Sequence, residues 1–462
     1  MTPDRRFLNW FAGAAALILA FGAGPAGANP HEQKLSNGLR VIVKEDHRSP
    51  VVVSQIWYRA GSMDETNGTT GVAHVLEHMM FKGTHRVPAG EFSRIIAAAG
   101  GRENAFTSRD YTAYFQQLEK SRLPIAFDLE SDRMQNLVLS QDEFAKEIKV
   151  VMEERRMRTD DQAHALVHEE LMSTAFQVHP YRHPIIGWMT DLESMTEQDA
   201  RNWYERWYAP NNAVLVVVGD VNPKEVFALA EKHYGKIRPR TLPPRKPQVE
   251  PPQAGIKRVT VKAPGELPYL YLAYHAPVLR DAAKDWEPYA LEVLAGVLDG
   301  NASARLNQSL VREKRIAQST DAGYDGTSRG PGLFSISGVP SEGKTVAELE
   351  TAIRGEIDRI IRLGVTEEEL NRVKAQVTAA QVYQRDSMFY QAMLIGQFEM
   401  VGLSYKDIDT VVQRLQAVTA AQVQEVAKKY LKDDSLTVAV LDPQPLEAKA
   451  PSAPMKGMRH GN

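Results

Sequence analysis

Residues 238–255, "RPRTLPPRKPQVEPPQAG", carry six prolines. Proline has no amide hydrogen and a fixed φ, so this stretch denies both a helix and an interior strand. It reads as an extended linker between two stretches of similar length. Those two stretches are alike. "MTEQDARNWYERWYAPNNAVLVVVGD" (195–220) predicts a capped helix, an Asn-rich turn and an apolar strand, and "VTAAQVQEVAKKYLKDDSLTVAVLD" (418–442) repeats that order. Thr196 and Thr419 stand at the two N-caps. Each half also opens on an alternating strand, "GLRVIVKED" (38–46) and "IKRVTVKAP" (256–264). The expectation is an α+β chain of two homologous domains, each a sheet with helices packed on it, over 29–237 and 256–445. Residues 446–462 read as a loose polar tail.

The first 28 residues stand apart. Arg5 and Arg6 precede an apolar run that ends in Ala26-Gly27-Ala28, the pattern of a secretory signal peptide cleaved after Ala28. Periplasmic or secreted location follows, with no stable membrane anchor after cleavage. The chain has no cysteine, which removes disulfides, thiolate nucleophiles and Cys-based metal sites. A net charge of −3 without a basic patch argues against nucleic acid as a partner.

Chemistry concentrates in "GVAHVLEHMMFKGT" (71–84). On a helix over 71–81, His74 and His78 are four apart and share a face, so both imidazoles meet one ion. Neutral imidazoles suit Zn2+, and a catalytic zinc takes three protein ligands and keeps an open position. Glu77, at the edge of that face, is placed to act as general base. The third ligand must come from elsewhere. In "SQDEFAKEIKVVMEERRMR" (140–158), read as a helix with Ser140 and Glu143 as a capping box, Glu147 and Glu154 are two turns apart on a face shared with Phe144, Ile148 and Val151. Two inward carboxylates need a cation. "PAGEFSRIIAAAGG" (88–101) reads as a helix and "NAFTSRDYTAYFQQL" (104–118) as a strand. "HALVHEE", with His164 and His168 also four apart, reads as a solvated helix face. His179 and His183 read as structural.

The order His-x-x-Glu-His is the inverzincin signature, and the chain resembles the metallopeptidases of pitrilysin, insulysin and the mitochondrial processing peptidase over nearly its whole mature length. The resemblance implies zinc ligation by His74, His78 and Glu154, with Glu77 as the base and Glu147 supporting a ligand from behind. It also implies an edge strand that binds substrate as an added strand. Asn104 and Ala105 would touch the peptide backbone there, and Phe106 would line the pocket past the scissile bond.

The second half lacks the zinc motif, and it departs from the family in one further respect. Longer members carry an Arg followed by a Tyr that contact the substrate carbonyl. Arg312 in "NQSLVREKRIAQSTDAGY" matches the Arg, whereas the Tyr position falls on Gln318 with one residue deleted, and Tyr324 is out of register. The resemblance therefore implies a zinc endopeptidase acting on oligopeptides or small unfolded proteins. It would form a heterodimer with a zinc-free homologue that supplies the Arg/Tyr pair, or a homodimer in which Arg312 with Tyr324 or Gln318 suffices. The alternative is a catalytically silent scaffold of the same family.

Overall fold

A computed structural model describes residues 29–445. The signal-peptide and tail assignments lie outside these residues. Two sheets form, one on each side of the Pro-rich stretch. The first comprises β1 (His31–Lys34), β2 (Arg40–Glu45), β3 (Val51–Tyr58), β4 (Arg102–Thr107), β5 (Thr112–Glu119) and β6 (Ala213–Gly219), in the order β1-β2-β6-β3-β5-β4. The second comprises β7 (Lys257–Pro264), β8 (Tyr269–Ala276), β9 (Ala317–Tyr324), β10 (Gly332–Pro340) and β11 (Leu436–Gln444), in the order β7-β11-β8-β10-β9. β2 pairs parallel with β6 and β7 with β11, the second of each pair being the last strand of its sheet along the chain, and the remaining pairs are antiparallel. With β1 set aside, the two sheets share one topology. The repeat seen in the sequence is thus a repeat of fold, and β4 and β9 are corresponding edge strands.

The first five helices of the first half are α1 (Val72–Met79), α2 (Glu91–Ala98), α3 (Leu123–Asn136), α4 (Gln141–Arg155) and α5 (Ala163–Ala175), of which α1, α4 and α5 line the cavity. Both repeated helices carry full capping boxes, Thr196 with Asp199 and Thr419 with Gln422. Ser140 accepts from the Glu143 amide as expected, but Glu143 turns to Lys146 instead of closing the box.

Three expectations need correction. The run 104–118 is not one strand but the hairpin β4–β5. Ser108 breaks it: its hydroxyl accepts from the amides of Asp110 and Tyr111, a local side-chain turn that β-propensity alone does not reveal. The helix expected over 140–158 ends at Arg155 and passes into a π-helical turn, Arg156–Asp160. The first half does not open on the strand at 38–46: β1 precedes it, and its residues are all exposed and show no alternation.

Residues 238–254 form neither helix nor strand, yet they are pinned along their length. Arg245 pairs with Asp64 at 2.9 Å, Glu250 accepts from the amides of Gln177, Val178 and His179, and Gln253 donates to the Leu436 carbonyl. The halves also exchange helices. α5 buries Val167 and Leu171 against Val261, Ala273 and Ala439 of the second sheet. Reciprocally, the helix Met388–Val401 lays Ala392 and Ile395 on Trp57 and Val216 of the first. That approach requires Gly396: a Cβ there would lie 2.1 Å from the Trp57 ring. Gly396→Ala should therefore lower stability by ~1–3 kcal/mol through overpacking, measurable as a shift of the urea unfolding midpoint.

Candidate zinc-peptidase site

α1 begins at Gly71, whose φ of +88° and close approach to the Ile186 carbonyl leave no room for a side chain. Its N-terminal amides are met by a buried carboxylate: Glu65 accepts from Gly71 N at 2.8 Å and Ala73 N at 2.9 Å. Burial pushes the Glu65 carboxyl up to about 8. Val72, Val75, Leu76 and Met79 fill the core and leave His74, Glu77 and His78 on the face toward a cavity of about 1300 Å3. α4 packs against α1 and brings in Glu154.

The donor atoms of His74, His78 and Glu154 lie within 4.8 Å of one another. Glu154 Oε2 is 3.6 Å from His74 Nε2 and 3.8 Å from His78 Nε2. Two ligands each about 2.1 Å from one tetrahedral ion stand about 3.4 Å apart. Glu154 Oε2 is buried and has no hydrogen-bond partner, which is the situation a cation resolves. Among the described residues this is the one such trio. The two nitrogens of His78 are also distinguished: Nδ1 lies 3.2 Å from Glu147 Oε2 and donates to it, which leaves Nε2 with its lone pair toward the trio. Burial first, and then the neighbouring His78 ring and the Arg158 guanidinium, lower the His74 pKa to about 3, so this ring stays neutral. The residues present fit a zinc ion.

Glu77 is not part of the trio. The Thr107 hydroxyl, at the end of β4, donates to its Oε2. Burial raises its pKa, opposed by that hydrogen bond and by His78, so the carboxylate is more basic than one in water. Glu147 is held the other way. The His78 ring N–H lowers its pKa, and Lys82, 2.6 Å away, adds to the effect.

Asn104, Ala105 and Phe106 line the same cavity on the edge strand β4. Asn104 Oδ1 accepts from the Ala105 amide at 2.9 Å, so the edge amide is engaged by its own neighbour. Phe106 packs edge-on to Trp57. Sequence reasoning missed four contributors: Thr107, Lys82, Arg158 and Glu65. Lys82 and Arg158 stand four residues after His78 and Glu154, and Arg158 reaches Glu154 Oε1 at 3.4 Å; helical spacing held that signal.

The solvated face expected for His164 and His168 holds only in part: His164 is exposed, whereas His168 is half-buried. They line the cavity, with His164 stacked on Tyr269 and His168 near Tyr271 of the second sheet, because α5 packs across the domain boundary. His179 is buried and its Nδ1 accepts from the Tyr181 amide, a structural role, whereas His183 faces the cavity. The second-half candidates are not brought to the trio. Arg312 is exposed on the segment Asn307–Glu313 and is not among the residues lining the cavity, and Gln318 is exposed on β9. The Tyr324 hydroxyl donates to the Pro277 carbonyl, and its ring stacks on Phe334.

Comparison with known proteins agrees with this layout. Residues 40–188 match the model described as Insulinase (Peptidase family M16), and residues 194–377 match Peptidase M16 inactive domain. The zinc protease PqqE of Helicobacter pylori is 32% identical over 437 residues, covering 90% of this chain and 96% of that protein. A probable mitochondrial-processing peptidase subunit beta of Arabidopsis thaliana is 26% identical, covering 96% and 83%. The crystal structure of a protease from Helicobacter pylori superposes with a TM-score of 0.85 at 29% identity, over 90% of this chain and all of that one. The periplasmic protease PqqL of Escherichia coli, at 19% identity and a TM-score of 0.76, shares the fold, with 48% of its chain covered. The chain belongs to the insulinase family of peptidases, peptidase family M16.

Proposed function

We propose that the chain is a zinc-dependent endopeptidase that hydrolyses oligopeptides or small unfolded proteins, with Glu77 as general base. The observation that carries this reading is the convergence on one cavity wall of an unpartnered Glu154 oxygen, two imidazoles and a half-buried Glu77. His74, His78 and Glu154 would hold the zinc, which would supply Lewis acidity toward a peptide carbonyl and water.

The chain's own residues do the rest. Thr107 holds one oxygen of Glu77, and the other takes the proton of the attacking water and returns it to the leaving amine. The edge strand β4 receives an extended peptide as an added strand, which takes the Ala105 amide over from the Asn104 side chain. Asn104 and Ala105 meet its backbone, and Phe106 lines the next side-chain position. Glu147 keeps the His78 ring oriented.

Neither Arg312, which does not line the cavity, nor Tyr324, whose hydroxyl is engaged, is placed to meet the charge that develops on the carbonyl oxygen. A homologous zinc-free subunit supplies those donors in a heterodimer. Export to the periplasm belongs to the same proposal. Its support is the Arg5-Arg6 pair ahead of an apolar run ending in Ala26-Gly27-Ala28.

His78→Ala should lose zinc by metal analysis, whereas Glu77→Gln should keep about one zinc per chain and lose ~10²–10⁴-fold in peptide turnover. Full zinc in the first variant, or near wild-type turnover in the second, would overturn the assignment. Glu147→Gln should weaken zinc affinity by ~10–100-fold in a chelator competition. The purified, zinc-loaded chain should hydrolyse a quenched peptide ~10²–10³-fold more slowly alone than with its homologous subunit. Full activity without a second protein would remove the heterodimer.

A further inference from the structure

The loop between β9 and β10 reaches out of the second half and into the first. Arg329, at its tip, is largely buried and makes a two-pronged pair with Asp64: Nη1 to Oδ2 at 2.8 Å and Nη2 to Oδ1 at 3.1 Å. The same residue holds Asp110 twice. Its backbone N–H donates to Asp110 Oδ2 at 3.0 Å, and its Nη1 donates to the Asp110 carbonyl at 3.0 Å. The fit is tight. Gly330 donates to the Tyr181 hydroxyl, which itself donates to Asp110, and a Cβ on Gly330 would lie 2.4 Å from the His179 ring. Arg280 braces the loop from its own half by donating to the carbonyls of Ser328, Arg329 and Gly330.

The two aspartates are not arbitrary anchor points. Asp64 is joined by one peptide bond to Glu65, whose carboxylate accepts from the first amides of α1, the helix of His74, Glu77 and His78. Asp110 lies in the turn that joins β4 to β5, and β4 ends on Thr107, which grips Glu77. One guanidinium therefore ties two arms that end on either side of Glu77. One arm carries two of the three metal ligands, His74 and His78, and the other carries the peptide-binding edge.

We propose that Arg329, a residue of the half without the zinc motif, is a positioning residue for hydrolysis: it sets the spacing between α1 and β4. This rests on the peptidase reading above. The second half then acts as more than a wall of the cavity, since its docking locks the catalytic geometry. Arg245 still pairs with Asp64, and Tyr181 still donates to Asp110, when Arg329 is gone, so the variant keeps a partner for each buried carboxylate and should fold.

The test uses full-length, zinc-loaded protein, assayed with its partner subunit where activity requires one. Arg329→Ala should keep its zinc while kcat falls ~10²-fold and KM changes little, the signature of misplaced reacting groups. Arg329→Lys should restore only a minor part, because an ammonium cannot span both oxygens of Asp64. Hydrogen exchange in the same variants should speed up together in Val72–Met79 and Arg102–Thr112. A merely structural role predicts a lower melting temperature with kcat intact below it, and that result overturns the proposal. So does unchanged exchange in either segment. If the wild-type protein fails to cleave peptides, the peptidase reading falls, and the exchange experiment still decides whether Arg329 couples the two arms.

Discussion

A carboxylate oxygen buried beside two imidazoles and given no hydrogen-bond donor is a costly arrangement, and the first half is built around it. Glu154 Oε2 has no partner, and the groups around it keep that position open for a cation. Glu147 takes the far nitrogen of His78, Lys82 takes the far oxygen of Glu147, and Arg158 takes the other oxygen of Glu154. Each neighbour occupies an atom that would otherwise compete for the near ones. Just past Glu154, Arg155 is locked by Glu169 of α5 at 2.8 Å and by the Gly187 carbonyl, so the end of α4 cannot drift. Breaking such a buried pair leaves a charge without compensation, and this makes the anchor stiff.

The exchange of helices gives that site its surroundings. α5 belongs in sequence to the zinc half but covers the second sheet, and Met388–Val401 does the reverse. Neither sheet can bury its outer apolar face without the other half. The two halves are therefore one folding problem, and the cavity lies where they meet, with α1 and β4 on one side and α5, β9 and β10 on the other. The same topology built twice yields one copy that carries the His74, His78 and Glu154 trio and one that lines the cavity opposite it.

Much of this was legible in the residues. The proline run, the paired Thr-capped helices and the matched strands announced two like domains, because local capping and alternation are properties of short windows. The four-residue spacing of His74 and His78 implied one helical face, and the two-turn spacing of Glu147 and Glu154 another. What misled was context. The polar residues of "HALVHEE" look solvated in isolation, yet α5 is buried against a sheet that begins about a hundred residues later. The break at Ser108 hid inside a run of good strand formers, since a hydroxyl that folds back on two amides leaves little trace in composition.

The sequence by itself determined the candidate ligand types, their helical faces, the carboxylate beside them and the repeat of domains, all of which follow from periodicity and from the chemistry of imidazole and carboxylate. Tertiary structure alone decided that Glu154 meets the histidines while Glu147 stands behind one of them, that Thr107 grips Glu77, and that Tyr324 is spent on the Pro277 carbonyl. It alone joined Arg329 to Asp64 and Asp110. Those pairings link residues far apart in the chain, and no local pattern encodes them. Distance in space is set by how two sheets and an exchanged pair of helices pack, and packing is a property of the whole core.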